Sequence, residues 1–216
     1  MQWDWNYAAD IMPRLLDGLV VTVSATLVGY LIAVVLGLAI ALLRRSDNRA
    51  VSGTVRWIME FIRSTPLLVQ LFFIFFVLPS FGVVLSAFTA GVIGLGLHYA
   101  AYTSEVYRAG IEAVPKGQWE AATALSLSPG RTWFGVVLPQ AVPKVIPALG
   151  NYLIAMFKDS PMLFGITVVE MLGAAYQIGA ETFRYLEPMT IVGVLFVVVS
   201  IPASILFRYL ERRYGH

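Results

Sequence analysis

The stretch STPLLVQLFFIFFVLPSFGVVLSAFTAGVIGLGLHYAAYTS, residues 64–104, runs for 41 positions without an Asp, Glu, Lys or Arg. A helix needs about 20 mostly apolar residues to cross the hydrocarbon core of a bilayer. The run is therefore long enough for two crossings and must fold back on itself. Leu78-Pro79-Ser80-Phe81-Gly82 is the expected hairpin, because Pro and Gly both interrupt helices. This divides the stretch between a helix over about 57–78 and another over about 84–106.

The rest of the chain follows the same pattern. Leu19–Leu43 and Pro188–Phe207 are also free of charge. A further, less regular segment over about 145–168 has Pro147 near its start and Lys158-Asp159-Ser160-Pro161 further along. The sequence thus reads as an all-α integral membrane protein with five transmembrane helices, at about 19–43, 57–78, 84–106, 145–168 and 188–207, in one domain over 1–216. Charged residues make up 13% of the chain, against about 25% in soluble domains, which leaves too little polar surface for a water-soluble fold. There is no cysteine, so disulfides, iron–sulfur clusters and thiolate metal sites are excluded. Asp4 and Asp10 stand where a cleaved signal would carry basic residues, and the first apolar run is too long for its apolar region.

Orientation follows from the cations, since cytoplasmic loops collect Lys and Arg. With the N-terminus outside, 11 of the 15 cationic residues fall in inner segments and only Arg14 and Arg184 in outer ones. The C-terminus is then cytoplasmic. So is the segment over about 112–143, which contains KGQWEAATALSLSPGRTWFGVVLPQ (116–140). The outer segment over about 169–187 has room for a short interfacial helix.

Within that cytoplasmic segment, Gln118–Leu127 has the pattern of a short helix, with Trp119, Ala122 and Leu125 on one face. Ser128-Pro129-Gly130 is a turn, and Arg131–Leu138 is a second helical stretch that Pro139 is expected to stop. Two readings are open from the residues alone. One is an amphipathic helix lying on the membrane; the other is a surface of small residues that another protein approaches closely.

Glu120-Ala121-Ala122, followed by Leu125, Phe134, Val137, Leu138-Pro139, Ala141 and Pro143, resembles the EAA loop of the membrane subunits of ATP-binding-cassette importers. Arg63-Ser64-Thr65-Pro66-Leu67-Leu68-Val69-Gln70-Leu71 is similar to a hallmark of the polar amino acid permease branch of that family. So are Glu105-Val106-Tyr107-Arg108-Ala109-Gly110-Ile111, Pro115-Lys116-Gly117-Gln118 and Lys158-Asp159-Ser160, with Gly18 and Thr22 near the start. The resemblance covers most of the chain. It implies a type I ABC importer permease fold in the bacterial cytoplasmic (inner) membrane, crossing it several times. It also implies a non-catalytic subunit that acts with a cytoplasmic ABC ATPase dimer, a second permease chain (homo- or heterodimer) and an extracytoplasmic solute-binding protein. No nucleic acid and no metal are implied, and ATP and Mg would be bound by the ATPase.

In such proteins the EAA loop forms a coupling helix seated on the ATPase. Carried over, Glu120, Ala121, Ala122, Leu125 and Ser126 would form the contact, with Leu138 and Pro139 fixing the return. Ser126 stands where the family usually has glycine, and serine disfavours a positive φ. The substrate implied is a polar amino acid or compatible solute. The overall sequence looks most like ectoine and hydroxyectoine permeases, with glutamine, histidine or arginine as alternatives. The chain cannot bind ATP through a P-loop: Gly130 and Gly135 have the required spacing, but Val136 and Val137 stand where Lys and Ser or Thr belong.

Polar residues at membrane depth are the candidates for a translocation pathway or a helix interface: Thr65, Pro66, Gln70, His98, Glu105, Lys158, Asp159 and Ser160. Glu60 and Arg63 share a face and can pair, or Arg63 can snorkel to the interface. His98 and Gln70 can each form an interhelical hydrogen bond, or His98 can touch solute. Lys158 and Asp159 point about 100° apart on a helix, so they do not pair simply; their segment borders the pathway or locks helices at a subunit interface. Phe72, Phe73, Phe75 and Phe76 face lipid or neighbours, or line a cavity for a cationic group. The rival reading of the whole chain is an ion-coupled secondary transporter or channel acting without an ATPase. Such proteins often carry inverted repeats with paired broken helices, and the sequence has one broken helix and no repeat.

Overall fold

The structure, a computed structural model, describes residues 3–214. Those residues are helical throughout, with short connections. Helix α1 (Trp5–Leu43) starts where the Asp4 carboxylate accepts hydrogen bonds from the backbone N–H groups of Asn6 and Tyr7. That cap lies 15 residues ahead of the apolar run, so α1, with 39 residues, is about 58 Å long. It extends well past the roughly 30 Å hydrocarbon core. α9 (Leu186–Tyr214) is the other long apolar helix.

Residues 57–78 do not form one helix. α2 (Arg49–Ser64) ends at Thr65, and α3 (Leu67–Phe72) continues as a wide turn over Phe73–Val77 and a tight turn over Leu78–Phe81. The two parts meet at 104°. The cause is local: a residue before proline is pushed out of the α region, and Thr65 is extended, with φ −108° and ψ 139°. Pro66 has no N–H with which to continue the ladder. The hairpin expected at residues 78–82 turns on Gly82, whose φ of 83° is left-handed.

α4 (Ala87–Glu112) is followed by α5 (Lys116–Ala124) and α6 (Pro129–Thr132), which passes through a wide turn over Trp133–Val137 into α7 (Leu138–Asp159). The expectation that Pro139 stops a helix is not met. Pro139 falls in the first turn of α7, where its missing N–H costs least, and the wide turn before it receives the chain. α7 ends at Asp159 rather than running to 168. A tight helix over Ser160–Ile166 follows, with Pro161 in its first turn, and then α8 (Met171–Thr182) in the outer segment.

Among the described residues two helices, α1 and α9, are long and apolar enough to cross a membrane singly; taking each bent pair as one span raises the count to four. α4 is long enough, but Gly, His, Tyr and Thr dilute its hydropathy. It is also the most enclosed helix, packed against α1, α2, α3 and α7, so its surface need not match lipid.

The principal seam is between α1 and α4. Ala25, Gly29, Ala33, Gly37 and Ala41 recur every fourth residue on α1, and all are buried. Lipid tails give little hydrophobic drive between helices, so close backbone approach through small residues is what holds them. A Cβ on Gly29 would lie 3.3 Å from Leu95 Cβ, and one on Gly96 would lie 2.6 Å from Ile32 Cγ2. Thr103 donates across the seam to the Ala33 carbonyl at 2.7 Å. Gly18 and Thr22 hold α8 against α1. A Cβ on Gly18 would come within 2.9 Å of Met171 Cα, and the Thr22 hydroxyl accepts from the Met171 N–H at 3.1 Å. Glu170 caps α8, accepting from the N–H groups of Leu172 and Gly173 at 2.8 Å each.

Candidate functional site

The corner between α2 and α3 organises the polar residues at membrane depth. Once Pro66 breaks the ladder, the carbonyls of Ile62 and Thr65 need donors. Gln70 Nε2, one turn into α3, lies 2.8 Å from the Ile62 carbonyl, 3.2 Å from that of Thr65 and 2.7 Å from the Thr65 hydroxyl. Gln70 Oε1 faces His98 Nδ1 on α4 at 3.1 Å. Thr65, Pro66, Gln70 and His98 thus form one joint, and a groove of about 660 Å³ with apolar walls opens beside Thr65 and Gln70.

Behind His98 stands an aromatic group. His98 lies 5.2 Å from Tyr102, Tyr102 lies 5.7 Å from Tyr152 on α7, and Tyr99 lies 6.1 Å from Tyr152, all as ring centroids. The Tyr99 hydroxyl donates to the Asp159 carboxylate at 2.7 Å. Lys158 points elsewhere: it is exposed and borders a groove against α9 with Phe196 and Ser200. Ser160 is fully buried and donates to the Phe157 carbonyl at 2.8 Å, closing the end of α7. Lys158-Asp159-Ser160 therefore separates into three environments. The tyrosines had no signal as single residues; their spacing of three on α4 could have suggested a shared face.

Glu105, two turns along α4 from His98 on the same face, gathers arginines from three helices. It pairs with Arg44 at the end of α1, with Arg63 of α2 at 3.4 Å, and with Arg108 on its own helix at 2.8 Å. Arg63 also pairs with Glu60, and Arg108 with Glu112 at 2.6 Å. Three arginines and three glutamates thus bind α1, α2 and α4 at the arginine-rich end of the molecule.

The segment after α4 presents a different kind of surface. Trp119 of α5 packs edge-on against Trp133 of the wide turn at 5.5 Å, and the Arg45 guanidinium lies over both rings, 5.8 and 5.5 Å from their centroids. Ala122 is buried by the chain itself and seats α5, so it does not face outward with its neighbours. Glu120 and Ala121 are exposed, as is Pro139, while Leu138 is half-buried. Leu125 and Phe134 are 73% and 77% exposed. Ser126 has φ 52°, the left-handed value that a glycine would adopt freely. Its N–H reaches the Thr123 carbonyl at 2.9 Å, and the Leu127 N–H reaches that of Ala122 at 3.0 Å. These two bonds form a Schellman motif.

The chain and its fold have relatives among known proteins. Residues 33–216 match the family described as binding-protein-dependent transport system inner membrane component. The chain is 49% identical over 95% of its length to a probable amino-acid ABC transporter permease protein of Sinorhizobium fredii, 89% of which is covered. It is 35% identical over 99% of its length to the arginine transport system permease protein ArtQ of Bacillus subtilis, 98% of which is covered. A crystal structure of an amino acid ABC transporter with histidines contains a chain 37% identical to this one. The two superpose with a TM-score of 0.92, covering 99% of this chain and all of that one.

Proposed function

The chain belongs to the family of binding-protein-dependent transport system inner membrane components, and from that membership we propose how it works. It is a permease component of an amino-acid ABC uptake system, a multi-pass protein of the inner membrane that catalyses no reaction and binds no cofactor; ATP is bound by the partner ATPase. In the proposed arrangement α1, the bent pair α2–α3, α4, α7 and α9 make five crossings with the N-terminus outside. A second permease chain, identical or related, completes the pathway. A pair of ATPase subunits seats α5 from the cytoplasm, and a solute-binding protein delivers from outside.

The observation that carries the coupling reading is the exposure of Leu125 and Phe134, at 73% and 77%, on an otherwise polar segment beside Glu120 and Ala121. Large apolar side chains held rigidly in water mark a protein contact. Here the Trp119–Trp133 pair and the Schellman turn at Ser126 supply the rigidity. Leu138 and Pro139 return the chain into α7, so a displacement of α5 is delivered to the helix that ends at Asp159. Arg45, over both tryptophans, delivers it to α1 as well. Copurification tests this. An ATPase encoded with the chain copurifies with the wild-type protein, and Glu120→Lys or Leu125→Asp abolishes the association while leaving the chain's own thermal stability unchanged. Association that survives both substitutions contradicts the assignment.

The pathway is proposed to run past the joint at Thr65, Pro66 and Gln70 and the group formed by His98, Tyr99, Tyr102, Tyr152 and Asp159. Aromatic faces attract cations, and a carboxylate beside them suits an ammonium or guanidinium, so the solute proposed is an amino acid. Relatives are named for arginine and for L-cystine transport, which supports that choice over ectoine or hydroxyectoine. Solute-stimulated ATP hydrolysis by the reconstituted complex, measured with arginine, glutamine, cystine, histidine and ectoine in parallel, decides among them. Stimulation by ectoine alone overturns the amino-acid assignment.

A further inference from the structure

At the arginine-rich end, α1, α2 and α4 enclose a cleft of about 700 Å³ lined by six arginines and three glutamates. Arg44, Arg63 and Arg108 form the inner wall, and their charge is balanced by Glu60, Glu105 and Glu112 in the ion pairs described above. The mouth is different. Arg45, Arg49 and Arg56 line it without a carboxylate partner among the described residues, so the cleft carries an excess of three positive charges. Gly53 lies between Arg49 and Arg56 on the same face of α2, and a Cβ built on it would meet nothing within 4 Å. The helix surface at Gly53, between Arg49 and Arg56, is therefore open.

Trp57 and Phe61, 71% and 58% exposed and stacked at 6.1 Å, continue the same ridge of α2 that carries Arg49 and Gly53. Exposed aromatic residues next to arginines on a helix mark the boundary between membrane and water. Guanidinium groups match the oxygens of a phosphate in bidentate fashion. Basic clusters on amphipathic helices beside a spanning segment attract anionic lipid.

We propose that this cleft is a binding site for a phosphate-bearing anion, with Arg49 and Arg56 as its principal ligands. The source is an anionic phospholipid headgroup at the membrane surface or a free phosphate. Neither transport nor the ATPase contact enters this inference.

The test uses the full chain purified in a neutral detergent. Bound lipid is counted by native mass spectrometry as phosphatidylglycerol or phosphatidylcholine is added, and thermal stability is followed with inorganic phosphate against chloride at equal ionic strength. The wild-type chain is expected to retain phosphatidylglycerol about tenfold better than phosphatidylcholine, and Arg49→Gln/Arg56→Gln to bring the two within about twofold. Arg208→Gln, an exposed arginine elsewhere on the chain, keeps the preference. Preference for the anionic lipid with no response to phosphate assigns the site to a headgroup. Stabilisation by phosphate that the double variant loses assigns it to a soluble anion. A lipid preference unchanged in the double variant together with no phosphate response overturns the proposal. So does a wild-type preference that does not weaken between about 0.05 M and 0.5 M salt, because surface charge is screened over that range.

Discussion

Ser126 holds a left-handed φ of 52° with a side chain that disfavours it. The Schellman bonds around it fix that conformation, so the strain is carried by the residue and not relieved by the turn. Ser126→Gly is expected to stabilise the isolated chain by about 1 kcal/mol, and Ser126→Val to destabilise it by at least as much, since β-branching worsens the clash. Thermal denaturation in detergent measures both. The position was legible in the sequence as a departure from a family pattern. Its dihedral was not, because it depends on the whole of α5 ending at Leu125. Gln70 illustrates the opposite case: an interhelical hydrogen bond could be expected from a polar residue in an apolar run, but its larger task is local. It satisfies the carbonyls that Pro66 frees, and Gln70→Leu should cost about 1–3 kcal/mol by leaving Ile62, Thr65 and His98 without that partner.

At the scale of elements, hydropathy marked where apolar chain lies but not where helices begin, break or pack. α1 starts at Trp5 because Asp4 caps it, and α2 separates from α3 because Thr65 precedes proline. Both signals are single residues that an average over 20 positions conceals. The α1–α4 seam was also present in the sequence, as small residues every fourth position from Ala25 to Ala41, and it is equally invisible to hydropathy. Gly37→Leu should therefore prevent stable packing of α1 on α4, because a side chain there meets Thr103 and the backbone at Ala100. Leu31→Ala, on the exposed face of the same helix, should leave stability within about 0.5 kcal/mol. Yield of monodisperse protein and its melting temperature distinguish the two. Pro66→Ala tests the joint. It permits a straighter connection between α2 and α3, and is expected to reduce solute uptake while the chain still folds.

At the scale of the whole molecule, the proposed coupling follows one mechanical path. It begins at the exposed face of α5 and passes through the Trp119–Trp133 pair and Arg45 to α1, and through the wide turn to α7. It ends beside the tyrosines and Asp159. The loop's sequence marked the proposed contact surface, because Glu120-Ala121-Ala122 follows a family pattern. It did not disclose that Ala122 turns inward or that Arg45, 74 positions ahead of Trp119, completes the structure. Such a contact depends on how α1 ends relative to α5, which no local pattern specifies. Arg45→Ala should leave ATPase binding intact and lower solute transported per ATP hydrolysed several-fold, as expected when cation–π contacts of about 1 kcal/mol each are lost from a rigid link. The most direct test of the central claim is uptake into liposomes containing this chain, its partner permease and ATPase, with binding protein and amino acid outside and ATP enclosed. The account predicts uptake that requires enclosed ATP and is lost with Glu120→Lys. Uptake by the chain alone, without ATPase or ATP, would contradict it.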